Sequence, residues 1–188
     1  MSEPMTRAND ASGIVTISEA GPTGMVTLRA DLNDPKVQSA LAFSGREIPQ
    51  AGRTTGGDEA SVLWMSPDEL LMICAYDAAD VLVANMVEAF EDTHSLVVNV
   101  SDARALFDLA GEGRAIREVL AKVSPADMRE TSLGVGHVRR TRLAQVPAAF
   151  WFTGKDAARL ICFRSVKGYV SGLLAKVAEP GRDVGYFG

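Results

Sequence analysis

The sequence predicts an α+β chain, built as two small antiparallel-sheet substructures with helices packed on them. Three observations predict it. Each half of the 188 residues runs strand, helix, hairpin-like strands, helix, with no repeat at the residue level. Short apolar runs are bounded by turn residues, most clearly around Ser66-Pro67-Asp68-Glu69. The last helical segment carries the strongest periodicity, with Val166, Tyr169, Val170, Leu173, Leu174 and Val177 at i, i+3, i+4, i+7, i+8 and i+11.

A chain of this length buries roughly 70% of its unfolded surface and needs no disulfide or metal to hold a core. Its apolar share of 47% and charged share of 23% are those of an ordinary globular protein. Lys and Arg number 19 against 24 Asp and Glu, a formal charge of -5. That balance argues against a nucleic-acid binder, which needs a cationic surface to displace counterions from phosphates. Arg139, Arg140 and Arg142 form the one dense basic spot. No apolar stretch approaches the ~18–20 residues of a membrane helix. The opening MSEPMTRANDASG lacks the basic-then-apolar pattern of a signal peptide, so a cytoplasmic location is expected.

In chain order, residues 1–23 are rich in Ser, Thr, Gly, Asp and Pro and read as a flexible arm. Residues 24–100 make the first α+β substructure. GMVTLRAD alternates as a strand, and Asp34-Pro35 supplies an N-cap and a first-turn proline for a helix carrying Val37 and Leu41 and ending at Gly45. Residues 46–59, with Pro49, Gly52, Gly56 and Gly57, read as a loop. ASVLWM and LLMICA follow as a hairpin with the polar SPDE at its tip. Asp77 then caps a helix with Leu82, Met86 and Phe90 on one face, and HSLVVNV is the closing strand.

Residues 101–178 make the second substructure. RALFDLA is a strand, and Gly111-Glu112-Gly113-Arg114 turns into a helix with Ile116, Val119, Leu120 and Val123 on its apolar face. Ser124-Pro125 ends that helix. HVRRTRLAQV, PAAFWF and ARLICF precede the final helix, and residues 179–188 form a C-terminal tail.

The sequence holds no catalytic or metal-binding motif. Cys74 and Cys162 lie in apolar runs without a Cys-x-x-Cys partner and read as buried, reduced thiols. His94 and His137 have no ligand-spaced neighbours, so no metal site is expected. Gly168-Tyr169-Val170-Ser171-Gly172 falls inside a helix rather than at a nucleophile elbow. The Gly111–Arg114 turn lacks the third glycine of a dinucleotide fingerprint, and Glu112 stands where a phosphate would sit. Asp102 and Arg104 are two apart at a strand start, where a surface ion pair is expected. No catalytic, cofactor-binding or metal-ligating residue is assigned. Aromatics and arginines are the residues enriched where proteins bind proteins. The candidate subunit-interface residues are therefore Trp64, Arg140, Arg142, Trp151, Tyr186 and Phe187, with simple core packing the equal alternative for the Trp151 hairpin.

Four stretches carry a resemblance to a known family: VLWMSPDELLMI (62–73), VSDARALFDLAGEGRAIREVLAKVSPADM (100–128), GHVRRTRLAQVPAAFWF (136–152) and ARLICFRSVKGYVSGLLAKV (158–177). In order and content they resemble the gamma subunit of heterotetrameric sarcosine oxidase. Ser124 departs from the cysteine that family members often carry there. The resemblance implies the folate-binding fold of the aminomethyltransferases. It implies a non-catalytic subunit of a complex that demethylates sarcosine oxidatively to glycine and H2O2 and passes the one-carbon unit to tetrahydrofolate. It further implies alpha, beta and delta partners that hold FAD, FMN, NAD, tetrahydrofolate and zinc, with no cofactor on this chain. The alternative left open is a stand-alone folate-binding or one-carbon transfer protein.

Overall fold

A computed structural model describes residues 11–57 and 59–187. The chain begins with strands β1 (Ala11–Ser12), β2 (Thr16–Glu19) and β3 (Thr23–Arg29), followed by helix α1 (Pro35–Phe43). Next come β4 (Thr54–Gly56), β5 (Ser61–Ser66), β6 (Glu69–Ala75), α2 (Ala79–Ala89) and β7 (Leu96–Asn99). The second half holds β8 (Arg104–Ala110), α3 (Gly113–Ala121), β9 (Val138–Leu143), β10 (Val146–Gly154), β11 (Ala157–Phe163) and α4 (Lys167–Val177).

The strands form two sheets in which all neighbours are antiparallel. One has the order β4-β5-β6-β3-β7, the other β1-β2-β8-β11-β10-β9. The first sheet with its helices is a βαββαβ unit, β3-α1-β5-β6-α2-β7. The second repeats the pattern as β8-α3-β10-β11-α4, but the strand beside β8 is β2, supplied from the N-terminal side. The architecture is thus the expected α+β pair of antiparallel sheets.

The arm expected over residues 1–23 needs correction. Residues 1–10 lie outside the described residues, whereas Thr16–Glu19 pair with β8 and bury Ile17. Two buried residues, Val15 and Ile17, among Ser, Thr and Gly carry too short a period to be read as a strand, and the paired strand lies some ninety positions away. The loop expected over 46–59 likewise contains β4, which pairs with β5. Asp77 does not cap a helix; it lies in a 3-10 turn, Tyr76–Ala78, ahead of α2, whose start has no side-chain cap. Tyr169 is exposed, so α4 buries a narrower stripe than its periodicity suggests, centred on Val170 and Leu174.

Other local signals act as written. Asp34 Oδ1 accepts from the Lys36 backbone N–H at 2.8 Å with Pro35 in the first turn, and Gly45 takes φ +72° just after α1. Leu82, Met86 and Phe90 are all buried.

Three apolar clusters stack through the molecule. Val26, Leu28, Leu70 and Met72 pack under Val37, Leu41, Leu82 and Met86 of α1 and α2. Phe107, Phe150, Phe152 and Leu160 pack under Ile116, Leu120, Val170 and Leu174 of α3 and α4. Between the sheets lie Met25, Leu63, Met65, Leu71 and Ile73 against Leu106, Val138, Ala149, Trp151 and Ile161. The layers therefore run helix, sheet, sheet, helix. Backbone bonds Thr54 N–H to Gly136 O (2.8 Å) and Val138 N–H to Gly52 O (2.9 Å) stitch the sheets at one edge. Truncating Trp151 in the middle layer to alanine should cost about 3–5 kcal/mol, as for other buried large aromatics. Urea unfolding of the variant checks this.

Candidate functional site

The candidate interface residues separate into different environments. Trp151 is 2% exposed, on a strand flanked by β9 and β11 with its ring between the sheets, so it offers no surface to a partner. Its position beside the basic stretch in sequence gave no hint of this. Trp64 is half-buried against the α1 and α2 side of its sheet. There it lines an open depression of about 640 Å³ with Leu32, Gln38, Arg46, Ile48 and Pro49.

Arg140 and Arg142 are exposed on β9. Arg140 Nη1 stands 3.1 Å from Glu69 Oε2, and Arg29 Nη2 approaches the same oxygen at 2.9 Å. The sequence placed Glu69 at a solvated turn tip. It is instead the first residue of β6, with its side chain 7% exposed. A buried carboxylate is costly unless paired, and the two arginines, one from each sheet, supply the pairing.

Tyr186 and Phe187 meet edge to face at 4.9 Å. Phe187 packs on the second core, while Tyr186 is 76% exposed. The tail reaches that position through Glu118, a buried residue of α3. Its carboxylate accepts from the Val184 and Gly185 backbone N–H groups, the latter at 3.0 Å. Lys122 Nζ lies 3.5 Å from Glu118 and donates to Arg182 O at 2.5 Å. The neighbouring Arg117 is buried as well. It donates from Nη1 to Met128 O (2.6 Å) and Leu133 O (2.8 Å) and lies 4.2 Å above the Phe152 ring. Burial lowers its pKa below the ordinary guanidinium value. Nothing in the local sequence marks either residue, because both follow Ile116 on a helix whose other charged residue, Arg114, faces water.

The remaining chemical candidates resolve into packing. Both thiols are buried, and loss of solvent pushes Cys162 up to about 11 and Cys74 above its ordinary value. His94 is exposed, and His137 Nδ1 lies 3.2 Å from Arg53 Nη1. At the start of α3, Asp156 Oδ1 accepts from the Gly113 N–H at 2.9 Å, so a carboxylate occupies the place a phosphate would take. Asp102 and Arg104 do not pair with each other. The Asp102 carboxylate takes the Tyr76 hydroxyl at 3.1 Å and faces Arg164 at 3.9 Å, while Arg104 lies over the Phe163 ring at 5.1 Å. Among the described residues, no three His, Cys, Asp or Glu stand together where they could hold a metal ion. No helix there is long and apolar enough to cross a membrane.

Against known proteins, residues 29–179 match the model of the sarcosine oxidase, gamma subunit family. The chain belongs to that family. The gamma subunit of Corynebacterium sp. (strain U-96) sarcosine oxidase is 30% identical over 149 residues, spanning 78% of this chain and 71% of that protein. The gamma subunit from Arthrobacter sp. is 30% identical over 159 residues, spanning 84% and 76%. Among solved structures, a chain of the heterotetrameric sarcosine oxidase from Corynebacterium sp. U-96, in complex with pyrrole 2-carboxylate, superposes with TM-score 0.79. It is 28% identical, over 91% of this chain and 86% of that one. The glycine cleavage system aminomethyltransferase T from Bartonella henselae shares the fold at 12% identity and TM-score 0.64, covering 91% of this chain and 48% of that enzyme. The likeness to the aminomethyltransferase fold expected from the sequence is present.

Two outcomes are expected of this gamma-family chain. Glu118→Gln removes the charge that holds the tail backbone and should cost about 1–3 kcal/mol, with cleavage near residue 183 in limited proteolysis as the direct check. Neither thiol should react with a thiol reagent at pH 8 until denaturant is added. For Cys162 the folded pKa is raised, so the stability tied to its protonated form is full below pH 9 and falls as pH rises toward 11.

Proposed function

We propose that this chain is the gamma subunit of a heterotetrameric sarcosine oxidase and acts there without an active site of its own. The observation that carries the proposal is the family match over most of the chain, together with its superposition on one chain of a heterotetrameric oxidase. The residue chemistry is consistent with a supporting part. The helix terminus where a phosphate would bind is occupied by Asp156, and the thiols are buried and protonated. The partners proposed are the alpha, beta and delta subunits in a cytoplasmic complex. Those subunits would carry FAD, FMN, NAD, tetrahydrofolate and zinc, oxidise the N-methyl group of sarcosine and pass the one-carbon unit to tetrahydrofolate.

A stand-alone folate-binding protein is the alternative. The chain matches only about half of the aminomethyltransferase that shares its fold, so a ligand cleft built from that whole enzyme would be incomplete here. Co-production with the other three subunits, followed by gel filtration, should yield one complex containing this chain. The isolated chain should release no H2O2 from sarcosine, and titration calorimetry with tetrahydrofolate should give no heat at high micromolar concentration. Persistent separation of the chain from the other subunits would overturn the proposal.

A further inference from the structure

The layer between the sheets changes character toward one end. Alternation from Met25 puts Thr27 and Arg29 of β3 on the inner face, and Glu69 precedes Leu71 and Ile73 on the same face of β6. The β7 register partners of Thr27 and Arg29, Val98 and Leu96, share that face, since Val97 between them packs against the α1 and α2 side. From the second sheet, Arg104 stands two residues before Leu106, its register partner Phe163 stands two after Ile161, and Arg140 and Arg142 follow Val138. Here the sheets are separated by arginines rather than by Leu, Ile and Trp.

These arginines outnumber their counter-charges. Arg29 and Arg140 share one oxygen of Glu69, and both act on the exposed Asp68 carboxylate. Arg104 has no carboxylate partner in that arrangement. It lies over Phe163, and its buried Nε is without a hydrogen-bond partner among the described residues. Loss of solvent lowers its pKa; Glu69 opposes that shift, and Arg140 adds to it. The hydroxyl of Thr27, 8% exposed, is also unpartnered. Three cations, Arg29, Arg104 and Arg140, thus meet two carboxylates on a chain whose formal charge is -5. Next to them Leu96, Val98 and Phe163 are 53%, 38% and 44% exposed. Among the described residues β7 is hydrogen-bonded to β3 alone, and it carries none of the Lys, Pro or Glu that usually blunt a free sheet edge.

We infer that this open end of the inter-sheet layer receives an acidic, otherwise apolar, extended segment of another subunit of the oxidase. Its carboxylate pairs with Arg104 and Arg140, and its apolar side chains cover Leu96, Val98 and Phe163. The inference rests on the proposed gamma-subunit role and adds to it the surface and the chemistry of the partner. Charge complementarity identifies the occupant. A second copy of this acidic chain would have to find its own carboxylate for the site, and an apolar segment would leave Arg104 unpaired.

The test uses the full chain co-produced with the other oxidase subunits. Two variants probe the surface: Arg104→Glu with Arg140→Glu reverses the charge, and Leu96→Asp puts a polar group on the exposed edge, opposite Arg29. Arg129→Glu, far from the site, is the control, and thermal melting of each isolated chain establishes folding. With the Leu96→Asp chain folded, its affinity for the other subunits should fall at least about tenfold, and the wild-type association should weaken as salt is raised. Unchanged assembly by folded Leu96→Asp chain overturns the inference. So does an isolated wild-type dimer that Leu96→Asp dissociates while oxidase assembly is unaffected, because the occupant is then a second copy. Failure of the wild-type chain itself to assemble removes the gamma-subunit proposal, and the inference falls with it.

Discussion

The contact between the inner faces of the two sheets is the constraint on which the rest of the structure depends. Met25, Leu63, Leu71 and Ile73 from one sheet meet Leu106, Val138, Trp151 and Ile161 from the other. Helices cover each sheet on its outer side, so the central strands are buried on both faces. That is why β6 and β10 read as continuous apolar runs, LLMICA and AAFWF, rather than as polar–apolar alternation. Separating the halves would expose a broad apolar face on each, at about 25 cal/mol for each square ångström uncovered. Each sheet with its helices is thus incomplete in its burial without the other.

How much of this was legible depended on the range of the interaction concerned. β8 falls where RALFDLA placed it, and α1 starts on the Asp34-Pro35 signal, because a cap or a short apolar run is decided within a few residues. β2 and β4 were missed because each is short and nearly polar, and becomes a strand only by pairing with an edge supplied elsewhere. The candidate site fared less evenly for the same reason. Arg140 and Arg142 are exposed on β9, but Trp151 is enclosed by a sheet that the sequence does not locate. Glu69 and Glu118 look like ordinary solvated acids until Arg29 and Arg140, or the tail backbone, are brought to them.

The buried charges sort by what they hold. Arg117 and Glu118 are adjacent on α3, yet the first bonds the carbonyls of Met128 and Leu133 and the second bonds the amides of the tail. Both satisfy backbone groups of segments that are neither helix nor strand, which is a general requirement when loops pack over a core. These ions fix the irregular 122–137 connection and the C-terminal segment. Their partners are main-chain atoms and, for Glu118, the Lys122 ammonium as well. The chemical silence of the sequence and the abundance of buried charge are therefore compatible.

The two units also differ at equivalent edges, and the difference follows from the chain path. β7 and β2 occupy the same place in their respective sheets, beside β3 and β8. β2 is covered by β1, and the turn leading to it is tied to the end of α4, where the Ile14 N–H donates to Ala178 O at 2.9 Å. Gly13 sits so close to that carbonyl that a Cβ would collide with it. Both ends of the described chain are thus spent on the second unit, one closing its sheet and the other anchored on α3 through Glu118. β7 has no further strand beyond it among the described residues. Among the described residues, a chain that uses its first strands to finish its second sheet leaves the edge of its first sheet uncovered, and that edge adjoins the arginine cluster around Glu69, in which Arg104 has no carboxylate partner.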